Sequence, residues 1–338
     1  MSERKVAIIG GGSWGTAFAA VIARNGVPVT IWARRTDAAE EIDLRHRNDL
    51  YLPGIELPAT LGATTDQERA IRDARLVVMA VPSDGFRDRC AEVAPMLEPD
   101  AILVSLCKGI ERDSGKRMST VAQEATGLPP ERIAVVSGPN LAREVARGLP
   151  GATVAACIDE GNARIVQELC HAPTFRVYTN TDVIGVEIGG ACKNVVAIAS
   201  GVADGYGYGE NALSALITRG LVEITRLGVA MGGSPLTFIG LAGVGDLIAT
   251  SMSKLSRNHH VGEELAKGRR LDDIIASMSQ VAEGVKSCGA ILKLAAEHGV
   301  EMPIAERVGR VLLEGADVKE MVDSLLTRDA EEEFRGIG

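Results

Sequence analysis

Two regimes of hydrophobic patterning divide the chain. Before residue 182, short apolar runs at 6–9, 27–32, 76–81, 101–106, 133–137, 153–156 and 175–178 are separated by helical or turn segments. Runs of this length predict strands, and their alternation with helices predicts a largely parallel sheet. From Val183 onward the apolar positions form longer stretches without strand alternation, at 183–204, 211–227, 235–239, 245–251, 259–267, 271–279, 284–298 and 303–313. These predict helices. The expected organisation is an α/β domain over residues 1–182, a helical domain over 183–330, and a disordered tail over 331–338 that opens on an acidic run.

The first apolar run enters Gly10-Gly11-Gly12-Ser13-Trp14-Gly15, followed by a helical stretch that stops at Gly26 and by the second run. Strand, glycine turn, helix and strand is the setting in which GxGxxG has physical meaning. Gly10 permits the tight turn, Gly12 the approach of a pyrophosphate, and Gly15 the packing of helix on sheet, with the helix amides facing the anion. A dinucleotide-binding, Rossmann-type doubly wound sheet is therefore expected. Where an NAD-selective site would place an acid, at the end of the second strand, this chain has Arg34 and Arg35. A guanidinium there can hold a 2′-phosphate, which favours NADP(H) while leaving NAD(H) open; the alternative is a pair of solvated arginines opening the next helix.

Lys193 is the one basic residue within the apolar stretch 183–204. A helix that is apolar all round is normally buried, and Gly189, Gly190 and Gly201 within it suggest close approach by neighbouring backbone or ligand. Burial lowers the pKa of an ammonium and a neighbouring carboxylate raises it, so Lys193 is either an acid/base or a salt-bridged structural lysine. Other candidates stand at strand ends and helix entrances. Val81-Pro82-Ser83, Lys108 after an apolar strand, and the Ser137-Gly138-Pro139-Asn140 turn should share the carboxyl rim of the sheet. Asp246 follows two glycines as a helix cap or a site acid. Ser256-Arg257-Asn258 reads as a phosphate clamp or a surface turn, Thr250 as packing or a hydroxyl contact, and Glu283 as a solvated or cofactor-facing carboxylate.

Composition narrows the partners. The 338 residues carry a formal charge of −9, which argues against nucleic acid or an anionic membrane surface but leaves room for a local basic pocket. Six cysteines without CxxC spacing and five histidines without a ligand pattern point to no metal and no disulfide framework. No signal-peptide pattern precedes the first strand, and the polar groups around Lys193 argue against a membrane span, so a cytoplasmic setting is expected.

Taken together, GGGSWG at Gly10, SLCKGIE at Ser105, SGPNLAREV at Ser137, GGACKNVVAIASG at Gly189, GLAGVGDLIAT at Gly240 and SRN at Ser256 resemble bacterial NAD(P)-dependent glycerol-3-phosphate dehydrogenases, in order and spacing. The resemblance implies a helical second domain like that of 6-phosphogluconate dehydrogenase, and reversible reduction of dihydroxyacetone phosphate to sn-glycerol 3-phosphate for glycerophospholipid synthesis. It implies Lys193 as acid/base with Asp246 beside it, and Lys108, Gly138, Asn140, Thr250, Ser256, Arg257 and Asn258 around the phosphorylated substrate. Ser13, Trp14, Arg34, Arg35, Lys108, Ala142, Arg257, Val281 and Glu283 would face the cofactor, along with the glycines. Separately, helices rich in small residues suit a homodimer without requiring one. Asn140 stands where relatives often have Thr, and Trp14 where Tyr or Phe is common. A related β-hydroxyacid or 6-phosphogluconate-type dehydrogenase, or a non-catalytic NADPH-sensing module, is the competing expectation.

Overall fold

The computed structural model describes residues 5–278, 280–326 and 332. The tail expected to be disordered, 331–338, lies outside these apart from Glu332. Among the described residues, β1 (Lys5–Ile9), β2 (Val29–Trp32), β3 (Leu61–Thr64), β4 (Ala74–Met79), β5 (Ile102–Ser105), β6 (Ile133–Ser137), β7 (Gly151–Ala156) and β8 (Phe175–Asn180) form one sheet. Its order is β3-β2-β1-β4-β5-β6-β7-β8. All neighbours pair in parallel except β6 and β7. The apolar runs anticipate every strand but β3, an edge strand of sequence LGAT whose Gly and Thr dilute the pattern.

Both faces of the sheet are buried, which explains why its central strands read as unbroken apolar runs. Val6, Ile8, Leu76, Val78, Ile102 and Val104 enter one core, while Ala7, Ile9, Val77, Met79 and Leu103 enter another. Strand order reverses between β1 and β4, and in such sheets the crevice beyond the carboxyl ends at the reversal is where ligands bind. The glycine turn follows β1 at that point. The helix Ser13–Arg24 begins there with Gly12 as its cap and is buried from Gly15 to Ala23.

The chain divides into two compact units. The sheet unit runs to Cys107 and resumes over Met118–Val183; Lys108–Arg117 belongs with the helical unit from Ile184 onward. Ile110 is 2% exposed within the helical core, and Arg117 Nη1 lies 2.5 Å from the Glu187 carboxylate. No local pattern marks this ten-residue excursion, because its reason is a pair of distant partners.

At the centre of the helical unit lies Val183–Gly205, surrounded by Glu210–Ala230, Pro235–Phe238, Asp246–Met252, Arg257–Ala266, Leu271–Ser277, Glu283–Glu297, Pro303–Glu314 and Val318–Leu326. The periodicity anticipates all of these but Val318–Leu326. It also misses a π-helical turn at Leu241–Gly245. Val183–Gly205 and Pro235–Met252 are long and apolar enough to cross a membrane, yet 94% of the first is buried in this unit. The second is interrupted by the π turn and contains the 1% exposed Asp246. At Gly201 an added Cβ would stand 1.9 Å from the carbonyl of His259, so the central helix meets its neighbour backbone to backbone.

One buried acid serves structure alone. Glu223, 4% exposed, accepts hydrogen bonds from the backbone N–H of Ile304 (2.8 Å) and Ala305 (3.3 Å), capping Pro303–Glu314 from another helix. Burial pushes its pKa up from 4.5 to about 7. The folded chain then keeps a proton that the unfolded chain releases between these values, so this group's stabilisation falls as pH rises through that window. Urea midpoints measured across it should decline by the equivalent of up to about 3 kcal/mol, and Glu223→Gln should remove that part of the slope. An unchanged slope would mean that the carboxyl ionises in the ordinary range.

Candidate functional site

In the sheet unit the three glycines do three different things. Gly10 has φ +123°, and an added Cβ would lie 2.5 Å from Ala80 O. At Gly15 it would lie 2.3 Å from Gly10 O, so the helix packs on the turn itself. Gly12 has open space on that side, and no side chain caps the helix it begins. The first-turn amides beside half-buried Ser13 thus face space where an anion fits. Asn48 steadies the turn, donating to Gly11 O (3.0 Å) and Thr16 Oγ1 (2.8 Å), a role that an isolated Asn does not advertise in sequence.

Trp14 packs with Phe18 and Phe175 at ring-centroid distances of 5.5 and 6.3 Å, and its indole N–H is buried without a partner. An unsatisfied buried donor at this turn is what a bound acceptor would relieve. Arg34 and Arg35 are exposed just beyond β2, Arg35 forming a 3.2 Å ion pair with Asp37. At the end of β6, Gly138 is pressed against Thr153, whose hydroxyl accepts from Asn140 Nδ2 at 2.8 Å. The side-chain carbonyl of Asn140 is buried and unpartnered. Ala142 opens the next short helix, Ala142–Ala146.

The helical unit holds the charged cluster. Lys193 is 5% exposed; its Nζ donates to Asp246 Oδ1 and, at 2.6 Å, to Thr250 Oγ1. The other oxygen of Asp246 takes Lys108 Nζ at 2.6 Å. Asp246 is therefore no helix cap: one buried carboxylate is shared by two ammonium groups. Thr250 follows it by one helical turn on Asp246–Met252, which places both on one face. Gly189, one turn before Lys193, would carry a Cβ 2.6 Å from Ala242 O, so the lysine helix lies directly on the π turn that delivers Asp246. Burial brings the pKa of Lys193 from 10.5 down to about 7; Asp246 opposes that shift and Lys108 adds to it.

The Ser256-Arg257-Asn258 turn is more occupied than a clamp would need. The Ser256 hydroxyl caps its own helix by accepting from His259 N at 3.2 Å. Asn258 donates to Asn194 Oδ1 (2.9 Å) and accepts from Gly284 N (3.0 Å). Asn194, which sequence reading passed over although it adjoins Lys193, in turn donates to Lys108 O at 3.4 Å. Only Arg257 is exposed, with one of its five guanidinium N–H groups spent on Val281 O at 2.7 Å. Glu283 is half-buried at the start of Glu283–Glu297. Among the described residues no three His, Cys, Asp or Glu side chains gather as a metal site requires.

Comparison with known proteins gives this arrangement a family. Residues 5–163 match the N-terminal, and residues 182–323 the C-terminal, domain described for NAD-dependent glycerol-3-phosphate dehydrogenase. The chain belongs to that family. It is 52% identical over 331 residues to glycerol-3-phosphate dehydrogenase [NAD(P)+] of Streptomyces avermitilis, covering 98% of each chain. It is 54% identical over 330 residues to the Nocardia farcinica enzyme of the same name, covering 96% of this chain and 98% of that one. Among solved structures, Coxiella burnetii glycerol-3-phosphate dehydrogenase superposes with a TM-score of 0.92 at 36% identity, covering 97% of this chain and all of the other. A ketopantoate reductase from Ralstonia eutropha, at 16% identity, a TM-score of 0.56, and coverage of 95% and 99%, shares the fold alone. The NAD-dependent glycerol-3-phosphate dehydrogenase family thus spans both units, as the motifs implied.

Removing one cation from the cluster should be felt by the other. In Lys108→Met, Lys193 should titrate roughly one pH unit higher than in the parent chain. An NMR titration of the Lys193 ammonium checks this, and an unmoved midpoint would show that the Lys108 charge does not reach it.

Proposed function

We propose that the chain reversibly reduces dihydroxyacetone phosphate to sn-glycerol 3-phosphate with NADPH in preference to NADH, supplying glycerophospholipid synthesis, with Lys193 as the acid/base. The reaction follows from family and full-length similarity. The assignment of residues rests on one observation, the buried Lys193 ammonium held between Asp246 and Thr250.

The bound dinucleotide supplies the hydride. As the C2 carbonyl is reduced, negative charge grows on its oxygen, and Lys193 stabilises that charge and delivers the proton. An ammonium already oriented in a water-poor site acts more strongly on the transition state than on the ground state. Its lowered pKa lets it give up a proton near neutrality, while Asp246 keeps enough of it charged to act. Thr250 and Asp246 fix its direction. Arg257 holds the substrate phosphate with the guanidinium donors that the Val281 carbonyl leaves over, and this remote binding positions C2. Lys108, bonded to the same Asp246, stands on the substrate side with it.

For the cofactor, the open side of Gly12, the uncapped amides and the unpartnered Trp14 indole suit a pyrophosphate-bearing ligand. Exposed Arg34 and Arg35 support the preference for a 2′-phosphate. All six cysteines are free thiols, five of them buried, which supports a reducing, cytoplasmic setting. A homodimer is supported by the exposed apolar side chains of Leu236, Ile239, Ile248, Met252 and Leu255.

Lys193→Ala should fold and bind NADPH but lose about 10²- to 10⁴-fold in kcat; near-normal turnover would remove Lys193 from the mechanism. In the parent enzyme, kcat/KM for ketone reduction should fall above pH about 7, because the ammonium is the required form, and that for glycerol 3-phosphate oxidation should rise through the same pH. Arg34→Ala should raise KM for NADPH while sparing NADH, and equal effects on both would contradict the 2′-phosphate contact. Initial rates with dihydroxyacetone phosphate beside dihydroxyacetone test the substrate, since similar rates would exclude a phosphate clamp.

A further inference from the structure

Directly after the Ser256-Arg257-Asn258 turn stands a buried ionisable side chain to which no role has yet been given. His259 is 1% exposed, and both its ring nitrogens meet oxygen atoms. Nδ1 lies 2.7 Å from Ser251 O, and Nε2 lies 3.1 Å from Asp204 Oδ2. A backbone carbonyl can only accept, and so can an ionised carboxylate. Asp204 is ionised: the Lys254 ammonium bonded to it holds its pKa below the usual range. Both hydrogen bonds are made together only when each ring nitrogen carries a proton, that is, when the ring is an imidazolium. The charged groups around it are Asp204 from Val183–Gly205, Lys254 from the preceding loop, and Glu263 from its own helix, 3.8 Å from Lys254.

The three elements joined by this ring supply the candidate chemistry. Asp204 closes the helix that carries Lys193. Ser251 lies next to Thr250 near the end of the helix that carries Asp246. His259 sits in the first turn of the helix begun by Arg257 and Asn258. We infer that His259, as an imidazolium bonded to Ser251 and Asp204, is the positioning residue that fixes Arg257 relative to Lys193 and Asp246 for a phosphorylated substrate. This rests on the roles given above to Lys193 and Arg257. The ring touches neither substrate nor cofactor; it sets where a helix start stands against two others.

His259→Gln can keep one of the two hydrogen bonds but not the charge. It should raise KM for dihydroxyacetone phosphate about tenfold while kcat stays within about threefold, since misplacing a group that binds ground and transition states alike acts on KM. Its kcat/KM for unphosphorylated dihydroxyacetone and its KM for NADPH should not move. Equal losses on both ketones would mean general loosening and would overturn the inference. Independently, ¹⁵N NMR of the imidazole in the parent protein at pH 7 should show both ring nitrogens protonated, and a neutral ring would overturn it. If His259→Gln does not fold, Asp204→Asn retains the ring: a smaller KM rise confined to the phosphorylated ketone supports the inference, and an unchanged KM overturns it. Absence of any turnover by the parent protein would count against the substrate reading instead, while the ring spectrum would still decide the protonation state.

Discussion

A single carboxylate, that of Asp246, carries two ammonium groups in a nearly water-free setting. Burying any one of these charges alone would be expensive, and removing one partner from a buried pair strands the other. With two cations to one anion, the cluster cannot neutralise itself while both lysines stay protonated. Lys193, the more deeply buried of the two, is the one pushed toward giving its proton up. The same imbalance leaves a surplus positive charge in the cluster. Structure and chemistry here are one electrostatic fact.

Much of the helical unit can be understood as the scaffold for that arrangement. Val183–Gly205 is apolar on every side because every side meets another helix, and its glycines let neighbouring backbones come closer than side chains would allow. Gly189 admits the π turn that aims Asp246, and Gly201 admits the helix that carries Arg257. Lys108 arrives from elsewhere in the chain, held by the buried Ile110 and by the Arg117–Glu187 ion pair, whose acid lies on the same helix as Lys193.

The Ser256-Arg257-Asn258 turn shows how local and distant demands divide one motif. Ser256 satisfies its own helix, and Asn258 joins Asn194 to the start of Glu283–Glu297, so the amide and the hydroxyl are largely spent on architecture. The guanidinium retains capacity because a fork of five donors can hold a carbonyl and still offer the rest. A motif that reads as three equal ligand contacts thus becomes one exposed guanidinium on two braces.

The sequence by itself determined the elements and their order, because strand and helix periodicity, the glycine turn and the change of pattern near residue 182 are all local properties. It also marked Lys193, since a lone charge in an apolar stretch is conspicuous without coordinates. It left β3 and Val318–Leu326 unseen, the first too short and too polar to stand out and the second beyond the last stretch read as helical. Tertiary structure alone decided that Asp246 is shared rather than a cap, that Lys108–Arg117 belongs with the helices, and that Asn194 and His259 bridge distant segments. Each of these depends on atoms brought together from segments far apart in the chain, and the burial that gives such contacts their strength is a sum over all of them, which no local window contains.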